Sequence, residues 1–466
     1  MEPKKSLTAW TIALINVAAI CNIKNFALNA EYGLSSAFFL ILCSLIFFIP
    51  VSLVAAELAS GWPDRGLYTW VREGLGARLG FMAIWLQWIA NVIWYPTVLS
   101  FIAATFAYLF MPELAENKTY ILTIILVTFW AATFANFFGM RVSATISSLT
   151  ALFGTILPIT LIILLGLCWV IGGYPLHITL SWDSFFPNLT SLNHLVLLSG
   201  FFLGLTGMEM SAVHAREVQN PKREYPKAIL LSALLIIVLS TLGSVTIAAL
   251  VPAEEINLTS AGIEAFSALF LAFGLKWAIP LIAAIMTFGA LGMMSTWIVG
   301  PSRGLYAATE HGDLPPLFHY KNKSGMPVAI LIAQAVIVTF LSLVFVCMPN
   351  VNASYFILVA LASSLNMIMY LLMFCAALRL RATRPNVQRT YHVPGGKYGI
   401  WIVSCLGMSG PLFVLTIGFF PPAHLETGSP LIYETILIGG CIFFTILPLI
   451  FYKMRKPEWK LDVVGN

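Results

Sequence analysis

Apolar residues run through this chain in long, almost unbroken stretches. Twelve of them approach the roughly 20 residues a helix needs to cross a ~30 Å hydrocarbon core. They fall near 8–30, 36–58, 79–108, 119–139, 143–171, 193–215, 226–250, 275–299, 326–346, 354–378, 399–419 and 431–452. The alternation of a β-barrel is absent, and continuous apolar runs favour helices, which satisfy their own backbone groups in lipid. The pattern predicts an all-α integral membrane protein with twelve transmembrane helices. Two spans are interrupted near mid-bilayer, each beside one ionisable residue. The first reads Ile20-Cys21-Asn22-Ile23-Lys24; the sixth reads Gly204-Leu205-Thr206-Gly207-Met208-Glu209. A charge at that depth is costly unless a cavity or a partner receives it. Paired interruptions in two halves of a membrane protein point to a substrate site.

The broken spans each open a set of five. Five is odd, so the second set runs with opposite polarity, as in an inverted repeat. The organisation expected is a terminal segment 1–7, a first repeat 8–171, a second repeat 193–378, two peripheral helices within 399–452, and a short tail 453–466. Residues 1–7 are too short and polar for a cleavable signal, so the first span is expected to direct insertion.

Composition adds the environment. The chain is 59% hydrophobic and 10% charged, well below the roughly 25% charged residues of soluble domains. All of its 25 lysines and arginines except Lys24, Lys118 and Lys276 fall on the face that holds both termini. The positive-inside rule makes that face cytoplasmic, and the lipid bilayer, here a bacterial inner membrane, the chain's main partner. The net charge of +5 reflects this asymmetry and implies no nucleic acid. The seven cysteines lie in or beside spans without CxxC spacing and read as apolar fillers. P-loop, HExxH and GxSxG patterns are missing, so an enzyme is not expected, nor a cofactor or metal.

The loops carry further pattern. Glu217-Val218-Gln219-Asn220-Pro221-Lys222-Arg223 follows the sixth span, and Pro221 and Pro226 are expected to break the helix before the seventh. Trp297-Ile298-Val299-Gly300-Pro301-Ser302-Arg303-Gly304-Leu305-Tyr306, then Gly312-Asp313-Leu314-Pro315, reads as a separate interfacial helix after the eighth. Together with Gly207-x-Glu209, Ala30-Glu31-Tyr32-Gly33, Ala56-Glu57-Leu58-Ala59 and Pro394-Gly395-Gly396-Lys397, these motifs resemble the amino acid–polyamine–organocation transporter superfamily, in its glutamate/GABA-antiporter-like branch. The similarity covers about residues 8–455. It implies a LeuT-like five-plus-five core and a secondary-active exchanger of amino acids or their decarboxylated amines. Such exchangers can carry a longer plugging tail, so tail-based pH gating is not expected here. Relatives with a coupling lysine in span five differ from this chain, whose residues 142–171 contain no lysine. That favours exchange over proton symport; protons enter as partners only in the symport reading.

An amino acid offers a carboxylate and an ammonium, which exposed half-helix ends bind without side chains. The expected substrate-lining residues are Ile20, Cys21, Asn22 and Lys24 in span one, Leu203, Gly204 and Gly207 in span six, Asn91 in span three and Ser363 in span ten. In the superfamily the first break is typically Gly-Ser-Gly, which Ile20-Cys21-Asn22 replaces here. Three readings stand open for Lys24: a ligand for a substrate carboxylate, a fixed or titrating cation where related folds hold sodium, or a structural residue that snorkels along the outer vestibule or pairs with an acid such as Glu31. The resemblance implies gating roles for Glu209 and for Trp297. Leu203 stands where arginine-exchanging relatives place a tryptophan, which disfavours guanidinium substrates. Trp88, Asn91 and Tyr95 share one helical face by spacing, and Trp94, Ser364 and Asn366 are further polar or aromatic candidates. His214 reads as an interfacial histidine.

Overall fold

A computed structural model describes residues 8–62, 66–138, 152–187, 195–211, 221–422 and 428–460. Ten helices in it are long and apolar enough to cross a membrane: Ser35–Gly61, Ala77–Ala107, Lys118–Asn136, Phe153–Ile171, Lys227–Leu250, Ala278–Thr309, Val328–Cys347, Val351–Thr383, Gly396–Ile417 and Pro430–Met454. The first and sixth spans are each split, into Ala9–Ile20 with Ile23–Ala30, and Leu198–Gly204 with Met208–Ser211. His214 and Glu217 to Asn220 lie outside the described residues. The third and tenth spans are the most deeply buried and pack on each other, while the twelfth shows most of its surface.

Two boundaries differ from the sequence reading. The eighth span does not stop before an interfacial helix; it runs on to Thr309 with Pro301 inside it. A proline leaves the carbonyl four residues earlier without its helical donor. That carbonyl belongs to Trp297, and the Tyr95 hydroxyl donates to it at 2.8 Å. A tyrosine from span three thus replaces the missing N–H, and the helix continues. The seventh helix likewise already includes Pro221 and passes through Pro226.

Packing between spans is set by small and polar residues. Span seven offers span one a serine ladder: Asn16 donates to Ser232 (2.9 Å), Cys21 lies 3.6 Å from the Ser240 hydroxyl, and Asn29 donates to Ser244 (3.2 Å). Such polar contacts hold helices together where lipid supplies no hydrophobic drive between them. Spans five and eight meet at Gly154 and Gly289, where a Cβ on either would overlap the other's backbone. On the face holding both termini, the carboxylate of Asp313, just past the eighth span, accepts from the Tyr68 hydroxyl (2.8 Å). It also faces Arg72 and Arg455, each at 3.6 Å. This ties the short helix Leu67–Leu75 and the chain after span twelve to the end of span eight.

Candidate functional site

The two breaks face one another across a small central cavity. Its wall consists of Ile20, Asn22 and Asn25 from span one; Ala90, Asn91 and Trp94 from span three; Leu203, Gly204, Thr206, Gly207 and Glu209 from span six; Met293 and Trp297 from span eight; and Asn366 from span ten. It offers about 50 Å³, room for a few waters.

Local chemistry explains each break. Helix Ala9–Ile20 stops at Cys21, whose extended backbone leaves the helical path, and Asn22 starts the next half-helix by accepting the Lys24 N–H on its side-chain oxygen at 3.0 Å. The other end of that amide donates to the Met293 sulfur at 3.2 Å. In span six the turn depends on Gly207, whose φ of +117° is one that side-chain-bearing residues rarely adopt. The Gly207 N–H donates to the Tyr370 oxygen (3.1 Å), and Tyr370 donates its own proton to Glu209 (2.5 Å). Gln87 donates to the other carboxylate oxygen at 3.3 Å. Glu209 therefore joins spans three, six and ten beside the cavity. Trp297 stands edge-on to Trp94, with ring centroids 5.9 Å apart, and its ring lies against Gly207.

Of the residues expected to line the substrate or to gate it, Ile20, Asn22, Asn91, Leu203, Gly204, Gly207, Glu209 and Trp297 come together on the cavity, with the further candidates Trp94 and Asn366. Three do not. Cys21 turns to span seven, where the serine ladder receives it. Ser363 donates to the Ser199 carbonyl at 2.7 Å and ties span ten to span six. Lys24 is buried behind the wall. Its ammonium donates to Thr97 (3.3 Å) and Tyr355 (3.1 Å) and lies over the rings of Trp94 and Tyr355. No ion pair joins it to Glu31 or to another acid among the described residues. Asn25, Ala90, Thr206 and Met293 escaped the sequence reading. Asn25 follows Asn22 by three positions and Met293 precedes Trp297 by four, spacings that share a helical face. Among the described residues the Asn25 and Asn366 side chains have no hydrogen-bond partner in the protein, which leaves their amides open to a ligand.

A second, larger cleft of about 570 Å³ opens on the opposite face from the termini, walled in part by Tyr108, Glu116, Glu255 and Glu264. Glu264 sits on helix Ala261–Ala272, which packs over the outer half of span one. Ser260 donates to its carboxylate at 2.5 Å. Burial, reinforced by Glu116 and Glu255, pushes Glu264 from the ordinary 4.5 up to about 7. The docked helix thus holds this proton more tightly than an undocked one would, and docking weakens as pH rises from about 4.5 to 7. Amide hydrogen exchange of residues 261–272, corrected for intrinsic rates, is expected to quicken across that window. Glu264→Gln should remove the dependence, and an unchanged pH profile in that variant would assign it elsewhere.

Residues 6–441 match the family model described as amino acid permease. The chain belongs to this family. An uncharacterized transporter of Legionella pneumophila is 43% identical over 98% of both chains. A glutamate/gamma-aminobutyrate antiporter of Lactococcus lactis is 32% identical over 97% of this chain and 91% of its own. A probable agmatine/putrescine antiporter of the same species is 24% identical over 98% and 97%. This permease is therefore an integral membrane transporter of the amino acid–polyamine–organocation superfamily and not an enzyme.

Proposed function

We propose that the permease is an antiporter that exchanges an acidic or neutral amino acid for another amino acid or its decarboxylated amine. The exchange proceeds by alternating access in a bacterial inner membrane, with both termini cytoplasmic. The observation that carries this reading is the cavity between the two breaks. Half-helix ends, the open amides of Asn25 and Asn366 and the Glu209 carboxylate converge there. Such a set suits a zwitterion: N–H groups take the carboxylate, while carbonyls and Glu209 take the ammonium. The named activity of the Lactococcus relative, antiport of glutamate and gamma-aminobutyrate, supports the substrate range.

Absence of lysine from span five supports exchange over proton-coupled uptake, and a membrane sensor without net transport is the remaining contrast. Purified protein in proteoliposomes separates the three. Labelled amino acid is expected to enter only vesicles preloaded with an exchangeable amino acid or amine. Uptake into empty vesicles driven by a pH gradient would replace exchange by symport; binding without counterflow would leave a sensor.

A further inference from the structure

The Lys24 ammonium is held in a way its neighbours do not complete. It is 1% exposed, and its partners are two neutral hydroxyls and two aromatic faces. Thr97 gives its own proton to the Trp94 carbonyl at 2.7 Å, so only a lone pair faces the lysine. An ammonium has three N–H donors; the third has no acceptor among the described residues. The Tyr355 hydroxyl accepts from Lys24, and its own proton also has no acceptor among them. Two donors thus remain beside a buried cation with no carboxylate near it among the described residues. A buried charge without a counter-charge is costly, and a carboxylate that took both donors would relieve that cost through charge-assisted hydrogen bonds.

The position fits a ligand that reaches beyond the central cavity. Span three runs from Ala77 at the face of the termini to Ala107 at the other, so Thr97 lies outward of Trp94. Tyr355 lies in the first turns of span ten, near its outward start. Lys24 therefore sits on the outer side of the cavity, and Trp94, which lines the cavity, stands between them, its ring centre 5.6 Å from the ammonium. Asn22 and Asn25, which flank Lys24 in sequence, both reach the cavity.

We propose that Lys24, Thr97 and Tyr355 form a subsite for the side-chain carboxylate of an amino dicarboxylate, with Lys24 its specificity-determining residue. This rests on the reading that the central cavity takes amino acids. The carboxylate accepts one hydrogen bond from the Lys24 ammonium and one from the Tyr355 hydroxyl. The α-amino and α-carboxylate groups stay at the breaks. A neutral amide of the same length can accept there but brings no charge, so the subsite separates glutamate from glutamine.

Counterflow of labelled glutamate and labelled glutamine, each into preloaded proteoliposomes, tests this. Lys24→Met keeps most of the side-chain length and should raise the half-saturating glutamate concentration roughly tenfold or more, with glutamine nearly unmoved. Lys24→Arg should keep the preference, and Tyr355→Phe should weaken it in the same direction. Equal shifts for both substrates in Lys24→Met would make the residue a structural tie and overturn the subsite. If that variant does not purify as a monodisperse protein, Tyr355→Phe decides: an unchanged glutamate-to-glutamine ratio overturns the proposal. If the wild type shows no counterflow of any amino acid, the transport reading falls. The subsite is then judged by heat stability, where glutamate must protect the protein more than glutamine does and must lose that advantage in Lys24→Met.

Discussion

Glu57→Ala should lower stability by about 3–5 kcal/mol, the cost of leaving buried cations without their anion. Glu57 lies near the end of span two, 4% exposed. One carboxylate oxygen meets the Arg381 guanidinium at the end of span ten and stands 3.7 Å from Arg389 Nε. The other accepts the Val393 N–H at 2.7 Å. Arg389 is itself buried, donates to the Leu380 and Arg384 carbonyls at 3.1 Å, and lies over the Trp62 ring. Alanine would strand two guanidiniums and one amide together. Glu57→Gln keeps an acceptor for Val393 but loses the charge, so its loss should be intermediate. Adding Arg381→Met to Glu57→Ala should recover part of the loss, because one stranded cation is then gone. The measurement is the temperature at which detergent-purified protein ceases to be monodisperse. A Glu57→Ala protein that melts with the wild type would show the cluster to be solvated and of little weight.

Span number and the two breaks were legible in the sequence because lipid imposes a simple rule. A span is a long apolar run, and any polar interruption has to be accommodated. The limits of the spans were less legible where a proline seemed to forbid helix. At Pro301 the deciding fact is the Tyr95 hydroxyl that substitutes for the lost N–H, and that partner lies some two hundred residues away in sequence. The same holds at the site. Composition marks Cys21, Lys24 and Ser363 as polar groups in apolar spans, but their direction depends on which neighbour presents a partner. Ser240, Thr97 with Tyr355, and the Ser199 carbonyl draw them away from the cavity. Asn25 and Met293 could have been found from helical spacing, once Asn22 and Trp297 were placed.

Gly207→Ala should leave the protein folded and reduce counterflow by between about tenfold and a hundredfold. A side-chain-bearing residue held at an unfavourable positive φ costs roughly 1–3 kcal/mol, and a tenfold rate change corresponds to about 1.4 kcal/mol. At φ +117° the new methyl would lie 3.3 Å from the Trp297 ring and 3.6 Å from Ile20. Both residues line the cavity, so the methyl would occupy part of the space a substrate needs. Relief by rotating the backbone would pull the Gly207 N–H from Tyr370, whose hydroxyl is the shortest link to Glu209. Strain, lost space and a loosened carboxylate therefore act in one direction. Gly204 in the same break supplies the control. Its φ is not positive, and the nearest atoms to an added Cβ would belong to Asn25, the amide nitrogen at 3.2 Å. Gly204→Ala adds a methyl to the same cavity wall but no backbone strain, so its loss of counterflow should be clearly smaller than that of Gly207→Ala. The two variants compared in the same vesicles separate a turn that requires glycine from one that tolerates a side chain. Equal losses in both would make cavity volume, not backbone conformation, the controlling property of the sixth-span break.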